Sequence, residues 1–248
     1  MIRFNLEEFA MSQLKGTQVL IVGGSSGIGE ATALAFAEAG AHVTIASRNQ
    51  AKLDAAAARI GHGVATAVLD TTDGKAVETF FAGASSYDHA VVSAAQTAGG
   101  PVRELPLEAA YAAMDSKFWG AYRVARAVRI NERGTLTFVS GFLSVRPGKW
   151  VLQGAINAAL ESLGRGLALE LAPSKVRVNT VSPGMIATPL WDGLDDTARQ
   201  AMYDNAASTL PARVTGQPRD IANAVLFLAT TPYATGSTVL VDGGGAIA

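Results

Sequence analysis

The sequence predicts one α/β domain, a doubly wound sheet of seven parallel strands with helices on both faces. Three observations predict it. Short apolar runs alternate with alanine-rich helical stretches along almost the whole chain, as repeated βαβ units require. The first apolar run passes directly into a glycine-rich turn that opens a helix. Finally, 49% hydrophobic content with only 17% charged residues over 248 positions, and a mean hydropathy of +0.23, suits a sheet covered on both sides.

The elements follow in order. Val19–Val22, Val43–Ala46, Val64–Leu69, Ala90–Val92, Leu136–Val139, Val176–Val181 and Val239–Val241 read as buried strands. Helices are expected over Gly27–Glu38, Gln50–Arg59, Gly74–Phe81, Leu107–Val128, Gly154–Leu171 and Arg219–Ala229. The segment Thr188–Leu210, rich in Asp, Ala and Thr, breaks the alternation and is expected as a mobile helical flap over the site. There is no internal repeat, low-complexity tract or domain linker. The domain is therefore expected over residues 14–248, with 1–13 as an N-terminal arm in which Met1–Ala10 lacks the pattern of a secretory signal.

Composition removes several classes of function. A net charge of −1 and a pI near 6.3 offer no basic field for nucleic acid or anionic lipid. The absence of cysteine excludes disulfides and thiolate chemistry, and with no apolar run of about 18 residues the expectation is a cytoplasmic protein without a membrane span. His42, His62 and His89 are scattered without metal-ligand spacing and read as solvated or strand-end side chains, so no metal is expected. Asp195-Asp196 looks like a helix start rather than a catalytic carboxylate pair. Ser140 has neither a Gly-x-Ser-x-Gly elbow nor a nearby histidine, which sets aside a hydrolase.

The strongest local signal is the strand Val19–Val22 followed by Gly23, Gly24, Ser25, Ser26, Gly27, Ile28 and Gly29. Glycines let the backbone approach a pyrophosphate, and the helix that follows points its first amides at the anion. This is the Rossmann-type arrangement for a dinucleotide. Cofactor choice turns on Ser47 and Arg48 just past the second strand. An acid there would hold a free ribose 2′-hydroxyl; a guanidinium instead forks onto a 2′-phosphate. NADP(H) is therefore preferred, with NAD(H) left open.

The Gly-x-x-x-Gly-x-Gly spacing, Asp70-Thr71 after the third strand, Ser140, Asn179 ahead of Pro183-Gly184, and the closing Gly236 and Asp242-Gly243-Gly244 together resemble the short-chain dehydrogenase/reductase family of classical type, from Leu14 onward. The resemblance implies that Asp70 and Thr71 border the adenine, and that Pro183, Gly184, Ile186 and Thr188 border the nicotinamide and phosphates. It also implies a serine that orients substrate, a tyrosine that moves the proton, a lysine four positions later on the ribose, and an asparagine on the preceding long helix. Only the serine, Ser140, is present. The tyrosine position is Gln153, the lysine position Asn157 and the asparagine position Lys117, while the family's Asn-Asn-Ala-Gly run is Ser93-Ala94-Ala95-Gln96.

A primary amide donates a hydrogen bond but releases no proton near neutrality, so Gln153 positions or polarises a substrate without replacing the phenol. Lysine and asparagine have traded places, which sets an ammonium at Lys117 beside the ribose as proton donor or oxyanion stabiliser, against a solvent-facing or structural Lys117. A small apolar carbonyl, imine or activated alkene would need the least help from an acid. Tyr111, Tyr122 and Tyr203 read as packing or rim, and Phe142 and Trp150 as pocket lining or core. On the helix after Gln153, Ile156, Leu160, Leu163, Leu167 and Leu171 form the buried stripe, with Gln153 and Asn157 on another face. Gly164 and Gly166 permit close approach by another element. The resemblance implies a homo-oligomer, dimer or tetramer. The expected activity is an NADP(H)-dependent oxidoreductase. Its rivals are a non-catalytic NADP(H)-binding sensor or partner subunit, and a structural oligomer with a vestigial site.

Overall fold

A computed structural model describes residues 12–248, so the reading of Met1–Ala10 lies outside the described residues. In chain order the main elements are β1 (Gln18–Val22), α1 (Gly27–Glu38), β2 (His42–Ser47), α2 (Gln50–Ile60), β3 (Ala65–Val68), α3 (Gly74–Gly83) and β4 (Tyr87–Val92). They continue with α4 (Leu107–Met114), α5 (Gly120–Ala127), β5 (Ile130–Val139), α6 (Val151–Glu170), β6 (Arg177–Pro183), α7 (Asp196–Thr209), α8 (Pro218–Thr230) and β7 (Thr238–Val241).

The seven strands form one sheet in the order β3-β2-β1-β4-β5-β6-β7, every pair parallel. Ile21 of β1 stands between Ile45 of β2 and Val91 of β4. Alternation along β1 sends Val19 and Ile21 to one face and Leu20 and Val22 to the other. On the first face they meet Ala33 and Phe36 of α1 with Ile221, Val225 and Leu228 of α8. On the second they meet Val77 and Phe81 of α3, Val124 of α5 and Leu160 of α6. The winding direction reverses between β1 and β4, and a crevice opens there beyond the carboxyl ends of the strands.

Three expectations change. β3 and β7 are edge strands and are only partly buried, since each has a neighbour on one side alone. β5 begins at Ile130, well before the apolar run that signals it, because Ile130 pairs with Tyr87 across a register shift before the strand settles at Thr135. The helix expected over Leu107–Val128 is two helices joined by a wide π-type turn, Asp115–Trp119, which carries Lys117. Such turns rotate side chains out of the ordinary helical register and recur at functional sites. Most of Thr188–Leu210 is regular helix α7, started by Asp195, whose carboxylate accepts from the Ala198 amide.

Candidate active site

The first turn is held together by backbone alone. Gly23 has φ +91°, and a Cβ there would lie 2.5 Å from the Ala94 nitrogen; one on Gly29 would lie 2.1 Å from the Gly23 carbonyl oxygen. Gly27, φ +55°, faces Thr188 across the crevice. Ser26 precedes α1 without capping it through its side chain, so the first amides of that helix are left to the crevice. Every residue given a catalytic or cofactor role from the sequence lines this one cleft, whose volume is about 750 Å³.

At its outer end Arg48 and Lys52 are exposed on the cleft wall, and Ser47 Oγ is buried without a hydrogen-bond partner. Lys52 is a cleft residue that the sequence reading omits, although it lies within one helical turn of Arg48. Burial alone would raise the Asp70 carboxyl; two hydrogen bonds from Thr72 and the charges of Arg48 and Arg123 together hold it below its ordinary value. An amide-lined turn, an orphaned hydroxyl and a cationic rim fit a nicotinamide dinucleotide.

The inner end is built by the wide turn, the end of β5 and the start of α6. Lys117 is buried, not solvent-facing, and its ammonium donates to the Ser140 carbonyl and to Asn157 Oδ1, both at 2.7 Å. Burial lowers its pKa to about 8, with the charge of Glu161 opposing the shift. Ser140 Oγ donates to Glu161 Oε1 at 2.8 Å. Gln153 is 5% exposed, and its Oε1 has no hydrogen-bond partner. Among the described residues no tyrosine lines the cleft.

Glu161, tied to Ser140, is a member of this inner network that sequence reasoning misses. It continues the row Gln153, Asn157 by one further turn of α6, and that row is buried beside the Ile156–Leu160 stripe. A carboxylate at that register, one turn beyond two amides on the same face, is the signal that could have found it. Gly164 does permit close approach, since a Cβ there would sit 2.8 Å from Thr180 Oγ1, whereas Gly166 faces open space. Asn179 pins the chain after α8, donating to the Ala234 carbonyl and accepting from the Ser237 amide.

His89 corrects the histidine reading. It is buried within β4, its Nδ1 lies 2.8 Å from Thr135 Oγ1, and burial lowers its pKa to about 4. Among the described residues no cluster of His, Cys, Asp and Glu could hold a metal, and no helix is long and apolar enough to cross a membrane.

Residues 22–245 match the family model described as enoyl-(acyl carrier protein) reductase. The chain belongs to the short-chain dehydrogenase/reductase family. Within it the chain is 36% identical to the sorbose reductase sou1 of Schizosaccharomyces pombe, covering 95% of this chain and 98% of that one. It is 33% identical to the glucose 1-dehydrogenase of Gluconobacter oxydans strain 621H, covering 92% and 91%. Among solved structures it superposes on a small-chain dehydrogenase in complex with NADPH with a TM-score of 0.79 at 33% identity, covering 94% of this chain and 100% of the other.

Proposed function

We propose that the chain is an NADP(H)-dependent oxidoreductase acting on a small apolar carbonyl, imine or activated alkene, with Lys117 in place of the family's phenol. The observation that carries this reading is the Lys117–Asn157 hydrogen bond at 2.7 Å. It returns an ammonium and an amide to contact after the two residue types have exchanged positions. The dinucleotide, when bound, supplies or accepts the hydride. Lys117 has three N–H donors and two are committed to Ser140 and Asn157, so the third is free for developing charge. An ammonium lowered to about 8 gives up a proton near neutrality more readily than an ordinary lysine, and while charged it stabilises an oxyanion.

Phe142, Leu143, Trp150, Met185, Leu190 and Trp191 line the substrate side. The Trp150 and Trp191 rings stand 6.0 Å apart between centroids. That wall supports an apolar substrate rather than the sugars in the relatives' names. Arg48 and Lys52, with no acid at the tip of β2, support NADP(H) over NAD(H). Leu107, Tyr111, Trp119 and Tyr122 are exposed along α4, the wide turn and α5, which supports a homo-oligomer.

A second reading, a non-catalytic NADP(H)-binding sensor or partner subunit, is favoured by Gln153 at the phenol position. One experiment separates them: NADPH and NADH binding by fluorescence, then NADPH consumption with ketones, imines and enones. The enzyme reading expects turnover that Ser140→Ala abolishes. Tight NADPH binding with no turnover on any of the three classes supports the sensor instead.

A further inference from the structure

A serine hydroxyl has one proton, and that of Ser140 is directed into the protein. It goes to Glu161 Oε1 at 2.8 Å, with the Val181 carbonyl a second acceptor at 3.4 Å. The same Glu161 oxygen accepts from Ser144 Oγ at 2.7 Å and from Ser182 Oγ at 3.2 Å. Glu161 is 5% exposed, so these three hydroxyls stand in for the water a carboxylate would otherwise hold. Turning the Ser140 proton into the cleft would give up a charge-assisted hydrogen bond to a buried carboxylate, which is the costly direction. What Ser140 offers the cleft is therefore a lone pair. Gln153 Oε1, a second acceptor at a cleft-lining residue, has no partner among the described residues. Lys117 supplies only donors.

We propose that Glu161 fixes Ser140 as a hydrogen-bond acceptor, so that the cleft recognises ligands carrying an O–H or N–H donor at or beside the reacting carbon. The matching chemistry pairs that donor with an acceptor for Lys117, as in a hydroxy ketone, an N–H imine or a lactam. Glu161 acts through Ser140 and is a positioning residue. The inference rests on the oxidoreductase reading of the cleft and names its substrate class.

The test is binding of two matched probe pairs to the full chain, followed by tryptophan fluorescence and calorimetry. The pairs are 2-pyrrolidinone against N-methyl-2-pyrrolidinone, and 1-phenylethanol against its methyl ether. In the wild-type protein the donor-bearing member of each pair is expected to bind about tenfold tighter, the value of one good hydrogen bond. Glu161→Gln offers Ser140 an N–H and frees its proton for the cleft, so the preference is expected to shrink to roughly threefold or less. Ser140→Ala removes the acceptor itself and should erase the preference. It also decides the matter if Glu161→Gln fails to fold. Equal affinities in the wild-type protein overturn the proposal, as does a preference that persists in Ser140→Ala, which would place the acceptor at Gln153 Oε1 or mark a steric effect of the added methyl. A preference for nitrogen donors alone or oxygen donors alone supports it and narrows the class. Each titration is run with and without NADP⁺. Failure to bind the dinucleotide overturns the functional reading, while the donor preference is still read on the free cleft.

Discussion

The two ends of the cleft are built from different materials. At the dinucleotide end the working groups are main-chain amides, and the sequence enters mainly as the absence of side chains: Cβ atoms on Gly23 and Gly29 would collide with backbone. At the reaction end every working group is the tip of a side chain, Lys117, Ser140, Gln153, Asn157 and Glu161, delivered from three separate elements. A backbone site tolerates little variation because any added atom fills it. A side-chain site can be rearranged while the frame stays put, and the proposed exchange of Lys117 and Asn157 would be such a case. The fold therefore commits the chain to a dinucleotide far more firmly than to a particular proton donor.

The contrast breaks most visibly at Lys117. Lys117→Met should lower kcat/KM for reduction by about 10²–10⁴, the span for loss of a placed acid. The Kd for NADPH, titrated by fluorescence, should change less than about threefold if binding and proton transfer are separate layers. An equal loss in both would make Lys117 part of the cofactor site. Unchanged turnover would remove it from the chemistry.

The pH dependence sharpens the same point. Burial lowers the Lys117 pKa from 10.5 to about 8, so folding disfavours its proton. Below about pH 8 the folded and unfolded chains both hold that proton, and the folded chain bears the desolvation cost. Between about 8 and 10.5 only the unfolded chain keeps it, so this contribution to stability rises with pH and is complete above the unfolded value. Denaturant unfolding should show that rise, on the order of a few kcal/mol, and Lys117→Met should flatten it. Reduction should show the opposite limb, falling as pH passes about 8 and the ammonium is lost.

The same division governs what is legible in the sequence. Gly23, Gly27 and Gly29 announce their function because no other residue type serves where the chain needs positive φ or so close a backbone approach. The central strands are equally plain, since β1 and β4 are apolar on both faces. The apolar pattern makes β5 too short because Asn131-Glu132-Arg133-Gly134 fills the register shift between Ile130 and Thr135 and leaves no apolar trace. The exchange of Lys117 and Asn157 is visible as residue types, but their contact depends on the wide turn Asp115–Trp119, which has no sequence signature. Glu161 is hidden for a related reason: a lone carboxylate on a helix reads as solvent-facing until the three hydroxyls around it are known.

At the other end of the cleft, Arg48→Glu tests whether side chains matter there at all. Reversing the charge should favour NADH over NADPH by about 10–100-fold relative to the wild-type protein, because an acid pairs with a free 2′-hydroxyl and repels a phosphate. The ratio of the two Kd values reports it. A ratio that does not move would mean that the amides of the first turn do all the discriminating, and that the preference for NADP(H) has no basis in β2.

Lys52→Ala should have the smallest effect. Its ammonium is exposed at the same rim, in the first turn of α2. Truncation leaves the cap of that helix intact, because Asn49 Oδ1 accepts from the Lys52 backbone nitrogen at 2.9 Å and not from its side chain. NADPH affinity should fall only about two- to fivefold, and the difference should shrink in high salt, as expected for a point charge in water. A loss larger than that of Arg48→Glu would move the phosphate from the tip of β2 onto the start of α2. The specificity of the outer end would then be set by the start of a helix.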